Sequence, residues 1–270
     1  FQGFIKALMR QGNALIKAFT RCLQHRLLEL PAEVLLIAGW NVFAVDGSLF
    51  DAPRTRSNRK TLGVGGTRGT NPTHPQLSMT SLYHLATGTL WSWRIGPARR
   101  PERKQFRQQI KRLPAGCLIV GDAGFFGYEL LRSIVESGRS FLIRGSSTIR
   151  LIKDPTRKNV YLYWPVDRQR TPPLSVRLIR IGNVELITNV LDGRLLSKAT
   201  ARKMYAMRWG IEVMYRTLKQ TMDRRTVRAR NGAKAKQELE WIAATFQLMS
   251  LCMAEQTLRG RRKRLSAANV

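Results

Sequence analysis

Two short apolar runs set the frame within which the rest of this chain must fold. NVFAV at residues 41–45 and CLIVG at 117–121 each read as a buried strand, and each runs directly into an aspartate, Asp46 and Asp122, with glycine within two positions after it. The first is expected to stop at the AspGlySer that follows it. Between the two runs, residues 77–85 and 89–95 give a hairpin signal through AlaThrGly, and residues 102–112 a helix closed by LeuProAlaGly. Past Asp122, residues 126–137 predict a helix with Leu130, Leu131, Ile134 and Val135 on its apolar side, and FLIR at 141–144 another strand. The order strand, hairpin, helix, strand, helix, strand implies an α/β fold, a mixed sheet flanked by helices.

The remaining segments divide by period and composition. Residues 1–38 form a basic amphipathic helical segment ending near Pro31, which packs on the core or touches a partner; residues 39–145 and 197–258 make the core. Residues 146–196 alternate in the manner of strands and read as a β-rich insertion before a helical stretch from Ser197 to about Asp223 and another from Ala233 to about Leu258. A basic tail, 259–270, closes the chain. Trp91 and Trp93 alternate along one strand and are expected on the same sheet face, as core.

Charge points to the partner. The 270 residues carry 47 Lys plus Arg against 17 Asp plus Glu, a formal net charge of +30, far more than solubility needs, and a polyanion is the simplest use for it. Nucleic acid leads, since no apolar run is long enough to span a membrane and the basic residues are spread along the chain. The three cysteines are far apart and the three histidines scattered, so neither a disulfide framework nor a zinc site is supported, and the chain reads as cytosolic. GVGG at 63–66 lacks the GlyLysSer or GlyLysThr of a phosphate loop. Its surroundings read instead as a long, flexible loop in which Arg54, Arg56, Arg59, Lys60 and Arg68 face DNA phosphates.

Against that basic background the acids of YAMRWGIEVMYRTLK, residues 205–219, stand out, because there is one. On a helical wheel Arg208, Glu212, Tyr215 and Lys219 share a polar stripe near Tyr205, beside an apolar stripe of Met204, Met207, Ile211, Met214 and Leu218. Glu212 could be an ordinary ion pair with Arg208 or Arg216, worth about 0.3–0.5 kcal/mol. Placed beside Asp46 and Asp122 it instead supplies a third carboxylate. Three oxygen donors suit Mg²⁺ or Mn²⁺, and two such ions per site would serve an in-line phosphoryl displacement.

The spacing Tyr205, Arg208, Glu212, Lys219 resembles the Tyr-Arg-Glu-Lys signature of bacterial insertion-sequence transposases of the DDE superfamily, in the IS-four-type branch. ValAspGlySer at 45–48 and GDAGFFGYELL at 121–131 resemble that family's first- and second-aspartate motifs. The resemblance covers residues 41 to about 220. It implies a ribonuclease-H-like fold with the β insertion before the last catalytic helix, and Asp46, Asp122 and Glu212 as catalytic metal ligands for Mg²⁺ or Mn²⁺. Tyr205, Arg208 and Lys219 match positions on the DNA backbone at the transposon end, with Arg216 beside them as a further DNA contact, and Trp164 is the insertion-domain candidate for holding a flipped base or else a core residue. The implied activity is strand hydrolysis followed by strand transfer in double-stranded DNA, by a homodimer in a synaptic complex at the bacterial nucleoid. About 40 residues precede the first strand, so a separate end-recognition domain is expected to be missing or reduced. A cutting-only nuclease of the same fold and a non-catalytic basic binder are the competing expectations.

Overall fold

The computed structural model describes residues 2–64, 74–146, 149–165 and 171–258. Arg68 and the basic tail lie outside them. A long helix, α1 (Gln2–Leu28), leads through a short turn of helix, α2 (Ala32–Leu35), and the two-residue β1 (Leu36–Ile37) into β2 (Trp40–Asp51). Then follow α3 (Arg56–Leu62), β3 (Gln76–His84), β4 (Thr89–Pro97), α4 (Glu102–Arg107), β5 (Leu118–Gly121), α5 (Tyr128–Glu136) and β6 (Ser140–Arg144). The second half runs β7 (Ile152–Lys153), β8 (Val160–Tyr163), β9 (Leu174–Ile181), β10 (Val184–Thr188), α6 (Lys198–Met207), α7 (Trp209–Arg216) and α8 (Gly232–Leu258). No helix among the described residues is long and apolar enough to cross a membrane.

Nine of these strands form one sheet in the order β4-β3-β2-β5-β6-β10-β9-β8-β7, with β1 folded back on β2. The pairings β2/β5 and β5/β6 are parallel and the others antiparallel. The two apolar runs become the centre of this sheet. Val42 and Ala44 enter one buried cluster and Phe43 and Val45 the other, and on β5 Leu118 and Val120 part from Ile119 in the same way. Burial on both faces is what an uninterrupted apolar strand requires. Met204, Ile211, Met214, Leu239 and Ala243 from α6, α7 and α8 cover one face, and Phe106, Leu131 and Ile134 from α4 and α5 cover the other. Strands of the 146–196 segment extend the same sheet, because β10 pairs with β6.

Four local expectations change. β2 does not stop at AspGlySer but continues to Asp51, held by β3 through the pairs Asp46↔Ser81 and Gly47↔Thr80, so Asp46 lies within a strand. Residues 56–62 of the expected loop are helical, because Thr55 accepts a hydrogen bond from the Asn58 N–H and caps the first turn. Helix 102–112 ends early, at Arg107, and resumes only as a 3₁₀ turn at Ile110–Arg112; between them Gln109 is buried, its amide donating to Thr80 O and accepting from Ser92 Oγ. Trp91 and Trp93 are both core, but on opposite faces: the β3/β4 register shifts between Leu82 and Tyr83, leaving Trp91 against Phe43 in one cluster and Trp93 in the other.

The stretch 205–219 is likewise not one uniform helix. α6 ends at Met207, α7 starts at Trp209, and Thr217–Thr221 is wound as a π-helix, so 100° per residue does not carry across it. Tyr215 therefore leaves the expected polar stripe and is 4% exposed. Its hydroxyl reaches Asp46 O at 3.1 Å and Met79 O at 2.9 Å, tying α7 to β2 and β3. Tyr215→Phe removes both hydrogen bonds and is expected to destabilise the fold by about 1–3 kcal/mol. Equilibrium denaturation checks this, and a change below about 0.5 kcal/mol would show that the tether contributes nothing.

Candidate active site

Parallel pairing of β2 with β5 brings the two strand-borne aspartates together. The register aligns Ala44 with Val120, and two residues further along each chain stand Asp46 and Asp122. Each spends one oxygen on its own backbone: Asp46 Oδ1 accepts from the Gly47 N–H at 2.8 Å, and Asp122 Oδ1 from the Gly124 N–H at 2.9 Å, capping the 3₁₀ turn Ala123–Phe125. Burial, the largest influence, pushes the Asp46 carboxyl up to about 6. The Gly47 bond and Arg208 oppose this, while the charges of Asp122 and Glu102 reinforce it.

Glu212 sits half-buried on α7 and is held by Arg208, whose Nη2 lies 2.7 Å from Glu212 Oε1. The ordinary ion pair is thus formed. The same guanidinium stacks over the Tyr205 ring, 5.6 Å from its centroid, and its charge acts on Asp46. Arg208 and Lys219 are thus the cations of this helical stretch whose charges act with that of Asp46, while Glu212 is brought to Arg208. Among the described residues no three histidine, cysteine, aspartate or glutamate side chains are gathered tightly enough to hold one ion as they stand. Mutually repelling carboxylates have no reason to close on one another unaided.

The donor chemistry nonetheless fits a hard divalent cation. Asp46 and Asp122 offer oxygen only, and among the described residues neither has a lysine or arginine within ion-pair distance. Asp46 retains a partly desolvated charge that a cation would offset.

Other expected contacts divide by position. Lys219 is half-buried, its Nζ 5.2 Å from the Phe50 ring centroid; burial lowers its pKa, and Asp51 is the first charge to oppose that. Arg216 is exposed and covers Trp209, 5.9 Å from its ring. Arg59 and Lys60 lie on the exposed side of α3, and no interaction among the described residues joins them to the aspartates. Trp164 lines a cleft of about 830 Å³ that includes Ala123, next to Asp122, with Arg103, Arg150 and Tyr163 on its walls. Two residues that sequence reasoning missed also border the aspartates. One is Tyr215, assigned to the wrong side of its helix by the uniform wheel. The other is Glu102, in the first turn of α4, where an acid is unremarkable on dipole grounds and so gave no signal.

Comparison with known proteins gives the family and the fold. Residues 39–248 match the family described as "Transposase DDE domain". The chain is 24% identical over 268 aligned positions to the transposase InsG for insertion sequence element IS4 of Escherichia coli (strain K12), covering 91% of this chain and 59% of that protein. It thus spans less than two thirds of that relative's length. Among solved structures, the piggyBac transposase in a synaptic complex with hairpin DNA superposes with a TM-score of 0.53 at 11% identity, over 84% of this chain and 50% of that one. The likeness supports a ribonuclease-H-like fold.

Because the Asp46 carboxyl titrates near 6 in the folded chain and about two units lower when unfolded, its ionisation works against folding. The cost is absent below about pH 4, grows through pH 6, and amounts to roughly 2–3 kcal/mol above it. Asp46→Asn is therefore expected to raise the melting temperature of the metal-free protein at pH 8, with the gap closing as pH falls toward 4. A pH-independent difference in thermal scans would contradict this.

Proposed function

The chain belongs to the transposase DDE-domain family, and from that premise we propose that it is a DNA transposase that hydrolyses a phosphodiester at a transposon end and joins the freed 3′-hydroxyl to target DNA. The observation that carries this reading is the juxtaposition of Asp46 and Asp122 on adjacent parallel strands, without a basic partner, in a chain of net charge +30.

In this reading Asp46, Asp122 and Glu212 hold Mg²⁺ or Mn²⁺, two ions per site. When bound, the ions activate the attacking oxygen and stabilise the leaving one. The chain's own residues do the rest. Arg208 exchanges Glu212 for a DNA phosphate, a bidentate partner its planar fork suits equally well, and Glu212 is thereby released toward the aspartates. Tyr205 and Arg216 flank that phosphate, and Lys219, kept short of full hydration over Phe50, supplies a second cation along the backbone. Arg59 and Lys60 on α3 extend the basic surface to flanking phosphates. Trp164, in the cleft next to the Asp122 turn, offers a face for an unstacked base. Joining two ends calls for two copies of the chain on double-stranded DNA, acting at the bacterial nucleoid.

Glu212→Gln and Asp122→Asn are expected to lower metal-dependent strand cleavage by on the order of 10⁴-fold while sparing most DNA affinity; unchanged cleavage would refute the assignment. With a pre-cut end, the wild-type chain yields joined product, whereas a nuclease yields none. Affinity should fall by about 0.9 log unit per log unit of salt for each phosphate neutralised, and Arg216→Ala should lower that slope by about one phosphate. A flat salt dependence in a filter or anisotropy assay would remove the basic surface from the argument.

A further inference from the structure

We propose that Glu102 is a fourth carboxylate of the active site, giving an oxygen, directly or through a bound water, to the divalent cation that Asp46 and Asp122 hold. The proposal rests on the reading of those two aspartates as metal ligands.

Three observations lead to it. The first is steric. A Cβ built on Gly47 would overlap the Glu102 carboxylate, meeting Oε1 and Cδ and lying 2.8 Å from Oε2. The carboxylate thus lies against the bare backbone of the residue that follows Asp46, a place that any side chain at 47 would fill. The second is electrostatic. The charge of Glu102 acts on Asp46, and that of Asp122 acts on both. In a chain with 47 basic side chains to 17 acids, Glu212, Asp51, Asp154, Glu185 and Asp192 all have arginine partners. Among the described residues Asp46, Asp122 and Glu102 have none within ion-pair distance, as Glu33, Glu129 and Asp223 also lack one, but these three act on one another.

The third is that Glu102 is held there by its neighbours. Arg103, the adjacent cation, is committed to the Asp122 turn, its Nε donating to Gly124 O at 2.6 Å. Gln105 donates to Ser78 Oγ at 2.6 Å and Gln109 to Thr80 O at 3.0 Å, fastening α4 to β3. The start of α4 is therefore clamped between the turn after Asp122 and the strand beside Asp46. Glu102 is exposed as a residue, while its carboxylate lies against Gly47, where burial raises its pKa. Glu212, by contrast, is held by Arg208, so in the DNA-free chain Glu102 is the third oxygen donor available.

The test is Mn²⁺ binding to the 270-residue, DNA-free chain, read from the electron paramagnetic resonance signal of free Mn²⁺, with circular dichroism as a check on folding. Glu102→Gln is expected to weaken binding about tenfold, within the range seen when a metal site loses a supporting carboxylate, while Glu212→Gln changes it less. Gly47→Ala, which displaces only the far end of a flexible side chain, should weaken binding to a similar extent, and the double variant should be no worse than either single one, since both act through one carboxylate. If Asp46→Asn abolishes binding and Glu102→Gln stays within twofold of wild type, the Glu102 assignment is overturned and the aspartate reading stands. A Gly47→Ala loss without a Glu102→Gln loss overturns it as well. If Asp46→Asn leaves binding intact, both readings fall together.

Discussion

The arrangement depends on one constraint: carboxylates without basic partners are collected in a chain that has almost three basic residues for every acid. A basic protein can neutralise any surface acid cheaply, and here Asp154, Asp192 and Glu185 are each met by arginine. Asp46 and Asp122 are not: the arginines near them are engaged elsewhere, Arg208 with Glu212 and Arg103 with Gly124 O. Their repulsion and desolvation are tolerated because the sheet beneath them is apolar on both faces and rigid. Stability given up at such a point is a common feature of sites that bind charged ligands.

Arg208 converts that constraint into a possible exchange. It satisfies Glu212 at 2.7 Å, stacks on Tyr205 and eases the charge on Asp46, three roles that a phosphate oxygen would compete for. In the proposed reading, a guanidinium drawn to DNA leaves Glu212 without its partner, and a glutamate so released joins two aspartates only with a cation among them, which would couple phosphate and metal through one side chain.

Much of the fold was legible because its determinants are local in sequence. NVFAV and CLIVG are apolar without interruption, and they form the central strands buried on both faces; the hairpin at 76–97 follows from its alternation and from AlaThrGly, with Gly88 at φ +67° closing the turn. What was not legible depends on distant partners. Asp46 falls within β2 because β3 pairs past it to Asp51, which no feature of AspGlySer announces. Trp91 changes face because of a register shift felt on the opposite strand. Of the candidate site, the two aspartates could be matched by their common context, whereas Glu102 reaches them only through the packing of α4, and its neighbours in sequence, Pro101 and Arg103, say nothing of Gly47.

The signature stretch shows why spacing and geometry must be kept apart. Tyr205, Arg208, Glu212 and Lys219 suggest one stripe only if the helix is uniform, yet its hydrogen bonding changes at Arg208 and it is underwound, as a π-helix, at Thr217–Thr221. Arg208 covers Tyr205 at i,i+3 and meets Glu212 at i,i+4, both within reach on helical backbone. The π segment, with more residues per turn, lessens the rotation ahead of Lys219, whose Nζ lies over Phe50 on the strand that carries Asp46. Tyr215, between the two irregularities, turns inward and fixes the height of α7 on β2 through Asp46 O. The helix can thus anchor on the same residue whose carboxylate it faces, because backbone and side chain of Asp46 serve different elements.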